Sequence, residues 1–323
     1  MGVVLGPLHL PGRLVQYYSA NLSLLWSSSY FAFGFPLGGQ GDDTFRSLRP
    51  RPQTVDWNRY PLHPQRNYSA GGIGALLFPL FPSAFRAGNT LTLTYGDPFS
   101  DNTPGHRGPG TTGPGGKIIT RYEIDQNGKR IAGGTVDGEI PLVTLSRTRS
   151  VIRFTLDGSR RGPSYKLSTS NQTVWTWPSR RQPGAILPKS WVCGYVFIAG
   201  RQTPERRCAV QPLMTMDYQV RGLALNGTAP PGRQLIGLHV GHLQLAAAAR
   251  VTGAAAQMSC DGGRNWNRAA VTSAHRGNFR ITFRAPAGCL VTLRVRAADT
   301  AGDSISETIQ RAYKITGTGR RHR

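Results

Sequence analysis

The feature that most restricts the fold is alternation. "LIGLHVGHLQL", "NFRITFRAPAG" and "CLVTLRVRAAD" place apolar residues at every second position, the period of a strand with one face in a core. Turn residues interrupt such runs roughly every 8–12 residues, as in an antiparallel sandwich. The chain holds 40 glycines and 23 prolines, and its hydrophobic runs are short, which favours many strands over a few long helices. The expected fold is all-β, with tandem antiparallel β-sandwiches.

Texture changes along the chain mark the expected domains. Residues 1–88 are aromatic and irregular, with strand patterns in "LVQYYSA" and "LLWSSSYFAF". The following "SLRPRPQTVDWNRYPLHPQRNYSAGG" is too proline-rich for a central strand, so this part reads as an incomplete β-rich segment and a connector. From 89 to 225 a sandwich is expected from "NTLTLTYG", "KIITRYEI", "SVIRFTLDG", "SYKLSTS", "QTVWTWPS" and "TMDYQVRGLAL". Asn127-Gly128 supplies the positive φ angles that a tight hairpin needs. After "NGTAPPGRQ", residues 226–315 carry a second set of strands, spaced as in an immunoglobulin- or fibronectin-III-like sandwich, and 316–323 form a basic tail. The alanine run 246–249 allows one helical turn at most, because Thr252 and Gly253 cut it short.

The formal charge is +23, yet only five of the 39 basic residues are lysines. The arginines are spread over the whole chain, which fits GC-rich codon usage. Specific polyanion binding would require them to converge on one face. Specific nucleic-acid binding is not expected. The stretch "MGVVLGPLHLPGRLVQYYSA" has no basic leader and its apolar run is broken by Gly6, Pro7 and Pro11, so it makes a poor signal peptide. There is no apolar run of about 18 residues, hence no expected membrane span.

Four cysteines fall into two spaced pairs, Cys193 with Cys208 and Cys260 with Cys289. Neither has the C-x-x-C spacing of a zinc or redox site, so two structural disulfides and an oxidising compartment are expected. Unpaired buried thiols are the alternative at Cys260 and Cys289. Disulfides without an export signal conflict, unless the true start lies upstream of Met1.

The stretch "SCDGGRNW" reads as a self-closing turn in which Asp261 accepts backbone hydrogen bonds and Trp266 covers the hairpin. Ser259, Asp261, Gly263 and Trp266 match an Asp-box, a hairpin-turn motif, with Asn265 in place of its threonine. A single copy argues against a propeller enzyme. His275, Asp299 and Ser304 echo a trypsin-like triad, but Ser304 lacks the glycines that would build an oxyanion hole. His239 and His242, three apart on a strand, point to opposite faces and cannot share an ion without a bulge. Asp97, Asp101 and Asn102 leave a calcium loop open, without the regular alternation of an EF-hand; no other cofactor is expected. Trp175, Trp177 and Trp191 would suit either a carbohydrate-stacking platform or a buried sandwich face.

From about Asn89 to Tyr313 the chain resembles the C-terminal, post-catalytic region of large secreted subtilisin-like (S8 family) serine peptidases of actinomycete-type bacteria. The resemblance rests on "FSDNTPGHRG", "SYKLSTSNQTVWTW", "CAVQPLMTMDYQV", "RGLALNGTAPPGRQ", "LHVGHLQ", "SCDGGRNW" and "APAGCLVTLRVRAADTAGDSISETIQRAY", in consistent order. "LHLPGRLVQYYSA" is similar to the segment leading into that region. The family's Asp-Ser/Thr-Gly, His-Gly-Thr and Gly-Thr-Ser-Met-Ala motifs do not occur in this sequence, so no residue inherits a catalytic role. The resemblance implies a non-catalytic, extracellular β-rich appendage. Its partners would be a subtilisin-like catalytic domain, upstream or separate, and cell-wall polysaccharide or protein substrate. In that family the positions of Cys260 and Cys289 are commonly ordinary strand residues, so the two cysteines look like a paired change. An independent secreted carbohydrate- or cell-wall-binding protein is the second expectation.

Overall fold

A computed structural model describes residues 59–64, 81–94, 98–102, 116–136, 140–163, 165–198 and 201–317. It also gives the backbone of short strand segments at 26–28, 41–42, 44–46, 106–107 and 112–113. The expected strand "LVQYYSA" and the basic tail from 318 onward lie outside the described residues, and Trp26–Ser28 pairs with Thr44–Arg46.

All described regular structure is β. The principal strands are β1 (Ala84–Ala87), β2 (Thr90–Leu93), β3 (Gly116–Gln126), β4 (Lys129–Thr135), β5 (Ser150–Arg161), β6 (Ser170–Ser179) and β7 (Met214–Val220). They continue with β8 (Gly232–His242), β9 (Val251–Ser259), β10 (Asn267–Ser273), β11 (Asn278–Ala285), β12 (Leu290–Asp299) and β13 (Ser304–Ile315). Hydrogen bonding runs in the order β7-β8-β11-β10-β9-β12-β13-β6-β5-β3, with β4 also on β3. These ladders are antiparallel; a short parallel pairing joins Thr228–Ala229 to the end of β13.

The path turns over on itself at β10. Asn267 to Ala269 pair with β9, whereas Ala270 to Ser273 pair with β11, so this strand passes from one layer to the other, as corner strands of sandwiches do. One layer is β7-β8-β11, and the other is the broad sheet from β9 to β4. Their inner faces share one apolar core, with Ile236, Leu238 and Ile281 on one side and Met258, Leu293, Val295 and Ile309 on the other. A small sheet, 143–144 with β2, β1 and 209–210, adds Leu91, Leu93 and Val143 to the same core beside β5 and β6.

Two connections differ from expectation for identifiable reasons. "SYKLSTS" is not a strand but the bend between β5 and β6. The buried Arg160 donates to the carbonyls of Ser168 at 2.8 Å and Leu167 at 2.6 Å and stacks on Phe99 and Tyr165, so a guanidinium gathers that backbone in place of a ladder. Nor does residue 225 separate two sheets. β7 pairs with β8 from Met214↔His242 to Val220↔Ile236, and β6 pairs with β13 from Ser170↔Gln310 to Thr176↔Ser304. From Met214 onward the strands make an antiparallel sandwich of β7-β8-β11 against β10-β9-β12-β13, with the consecutive strands β8 and β9 in opposite layers.

A polar cluster lies inside this core. Glu307 takes an inward position between Ile305 and Ile309 on β13 and is 1% exposed, and His63 is fully buried beside it. His63 Nδ1 is 3.7 Å from Glu307 Oε1, which accepts a hydrogen bond from the Thr173 hydroxyl at 3.2 Å. His63 Nε2 lies 2.9 Å from Asn102 Oδ1, and the Tyr218 backbone N–H donates to that oxygen at 2.9 Å. Burial disfavours the imidazolium, but the Glu307 charge and the hydrogen bonds to Glu307 and Asn102 outweigh it, pushing His63 up to about 9. The cluster fastens segments 59–64 and 98–102, themselves joined by His63 and Ser100 backbone hydrogen bonds, to both layers.

Candidate binding face

The outer face of the broad sheet is open and polar. Register aligns one row across it: Arg268 on β10, Gln257 on β9, Arg294 on β12, Thr308 on β13, Gln172 on β6, Asp157 on β5 and Arg121 on β3. Facing partners share one side of a pleated sheet, and all seven are exposed or half-buried. Six steps of about 4.8 Å make the row about 29 Å long. Arg296 stands in the next row, beside Ala255 and Ser306.

Two shallow depressions meet at Arg294. One, of about 430 Å³, is lined by residues including Arg121, Asp157, Gln172, Thr308 and Gln310. The other, of about 390 Å³, is lined by Ala254 to Gln257, Arg268 and Arg296. The Gln172 amide donates to Asp157 Oδ1 at 2.9 Å. Among the described residues, Arg121, Arg268, Arg294 and Arg296 form no ion pair. Arg294 lies over the Trp266 ring, 3.9 Å from its centroid, an arrangement that orders the guanidinium without neutralising it.

Trp266 is placed there by the "SCDGGRNW" turn. Ser259 Oγ donates to Asp261 Oδ1 at 2.6 Å and accepts the Gly263 N–H at 2.9 Å. Asp261 Oδ1 also accepts the N–H groups of Arg264 and Asn265, each at 3.0 Å. Asn265 reaches back with its amide to Asp261 Oδ2 at 2.6 Å, so the residue that departs from the Asp-box adds a closing bond. The Asn265 backbone bond, then the Ser259 and Asn265 side chains, hold the Asp261 carboxyl well below the usual range. Gly263, at φ +90°, leaves room for the indole; a Cβ there would approach Trp266 to 3.0 Å. No family model matches this chain, and neither does any curated protein.

The other expected sites are distributed as follows. Disulfides Cys193–Cys208 and Cys260–Cys289 are both formed. The second ties the residue after β9 to the one before β12, across one edge of a paired ladder. The tryptophan platform does not exist. Trp175, Trp177 and Trp191 are 2%, 0% and 8% exposed, because the phase of β6 points Trp175 and Trp177 inward. Their indole N–H groups donate to the Met214 carbonyl at 2.9 Å and to Gln211 Oε1 at 3.0 Å, and Trp175 stacks on Phe154.

Asp97 lies outside the described residues and Asp101 is buried. The Asn102 carboxamide is bound to the Tyr218 backbone, donating to its carbonyl and accepting from its N–H. His239 and His242 part company as expected: His239 Nδ1 faces Asn278 Oδ1 at 3.1 Å and His242 Nε2 faces Asp299 Oδ2 at 2.9 Å. His275 sits in an exposed turn at φ +71°, so the partner of Asp299 is His242 and not the histidine of the triad-like pattern. Neither the row of arginines nor the His63–Glu307 cluster was singled out in the sequence. Register supplied the row, and a glutamate at a core position of β13 was the available signal for the cluster.

Proposed function

We propose that this chain is a non-catalytic, exported β-sandwich region that accompanies a subtilisin-like peptidase, and that it holds an acidic polymer, such as an anionic wall polysaccharide, across the outer face of its broad sheet. The observation that carries the reading is the row from Arg268 to Arg121, with arginines unpaired among the described residues and with two amides, a hydroxyl and the single carboxylate of Asp157 between them. An extended strand of carboxylate- or sulfate-bearing sugars would meet guanidinium forks at intervals, with Gln257, Gln172 and Thr308 available to its hydroxyls. Two disulfides support an oxidising location, and the peptidase association rests on the sequence resemblance. Recognition through stacked tryptophans is not part of the reading, since Trp175, Trp177 and Trp191 are core residues.

Heparin, as an acidic probe, and dextran, as a neutral one, test it by titration at several salt concentrations. If the four arginines each neutralise one anion, affinity for heparin falls about 50- to 150-fold between about 50 and 200 mM salt. Replacing Arg121, Arg268, Arg294 and Arg296 by glutamine flattens that dependence. Binding unchanged in the fourfold variant, or equal binding of dextran, would sink the proposal. An in-frame subtilisin domain encoded upstream of Met1 would support the peptidase association independently.

A further inference from the structure

The loop after β12 and the end of β8 bring together His242, Asp299 and Asp303, each offering one ligand atom with all three atoms within 4.8 Å of one another. The Asp299 carboxylate is held from behind: Oδ1 accepts the N–H groups of Ala301 at 2.8 Å and Asp303 at 2.9 Å. That leaves Oδ2 turned to His242 Nε2 at 2.9 Å, the outer support that usually fixes a ligating carboxylate. Asp303 is 2% exposed, and its Oδ1 is buried with no hydrogen-bond partner. The cluster therefore holds a buried carboxylate oxygen that is not satisfied within the protein, next to a second carboxylate and an imidazole.

We propose that His242, Asp299 and Asp303 form a binding site for a divalent cation of the zinc class. With both carboxyls ionised, Asp299 and Asp303 would place two negative charges in a buried site, which a bound dication would neutralise. One nitrogen and two carboxylate donors suit zinc, whereas calcium and magnesium take oxygen ligands. Tetrahedral ligands at about 2.0 Å from zinc stand about 3.3 Å apart, so His242 and Asp299 need to part by only a few tenths of an ångström. The site lies at the end of the sandwich, where β8 and the 299–303 bend meet, and is independent of the arginine row.

Calorimetric titration of untagged, metal-free protein with Zn²⁺, Ca²⁺ and Mg²⁺, alongside Asp303→Asn and His242→Gln, decides the matter. The expected result is one Zn²⁺ per chain, a raised thermal midpoint with zinc, and binding weakened more than about tenfold in either variant. Circular dichroism of the variants establishes that they fold. Asp303→Asn keeps the backbone N–H that Asp299 uses, so it also serves if His242→Gln does not fold. No zinc binding together with a higher thermal midpoint for Asp303→Asn would show that the carboxyls share a proton, and would overturn the proposal. Zinc binding unaltered in a folded variant, or a response to calcium alone, would overturn it as well.

Discussion

His63 and Glu307 give one buried contact control over pH response. The imidazole titrates at about 9 in the folded protein and near 6.5 in the unfolded chain. Its stabilising contribution is fully present below pH 6.5 and is lost as pH rises through about 9. Denaturant midpoints measured from pH 6 to 10 should therefore fall over that window. Glu307→Gln should remove this dependence and cost about 3–5 kcal/mol at pH 6, because it leaves an imidazole in the core without its counter-charge. An unchanged profile in that variant would show that other groups govern the alkaline limb. Glu307 was visible in the sequence as the odd residue of "SISETIQ", a charge at the phase occupied by Ile305 and Ile309. His63 was not, because its partner lies 244 positions away and its segment has no periodicity to fix its orientation.

Among the elements, the turn closed by Ser259 and Asp261 and the disulfide beside it act on the same pair of strands. Cys260–Cys289 spans 29 positions, and closing such a loop in the unfolded chain is worth about 3.6 kcal/mol in the entropic account. The double variant Cys260→Ser with Cys289→Ser should lose about that much stability in urea, with little change in the Asn267–Ser273 pairing that amide exchange can follow. A loss below about 1 kcal/mol would mean that residual structure between these segments already confines the unfolded chain without the bridge. Strand existence was legible here because alternation in "NFRITFRAPAG" and "CLVTLRVRAAD" leaves one phase for the core. Layer assignment was not. Nothing local in "NWNRAAVTSA" indicates that Ala269 and Ala270 pair with different neighbours. The phase of β6 shows the same limit: alternation put Trp175 and Trp177 on one face, and only packing against Met214 and Gln211 decided which face that was.

At the scale of the molecule, one backing sheet and one apolar core join residues on both sides of position 225. Calorimetry should thus record a single cooperative transition for the described body, with calorimetric and van't Hoff enthalpies equal; two resolved transitions would contradict that coupling. The sequence suggested two sandwiches in series because linkers such as "NGTAPPGRQ" look like domain boundaries, whereas strand partners chosen across such a linker leave no compositional trace. The placement of Ser304–Ile315 carries a further consequence. It lies between β12 and β6, in the interior of the sheet, although it is the last described strand in chain order. The earlier strands therefore have an unfilled slot until synthesis or transport has delivered residue 315, and the growing polypeptide must wait, with β6 exposed along one edge, for its final neighbour.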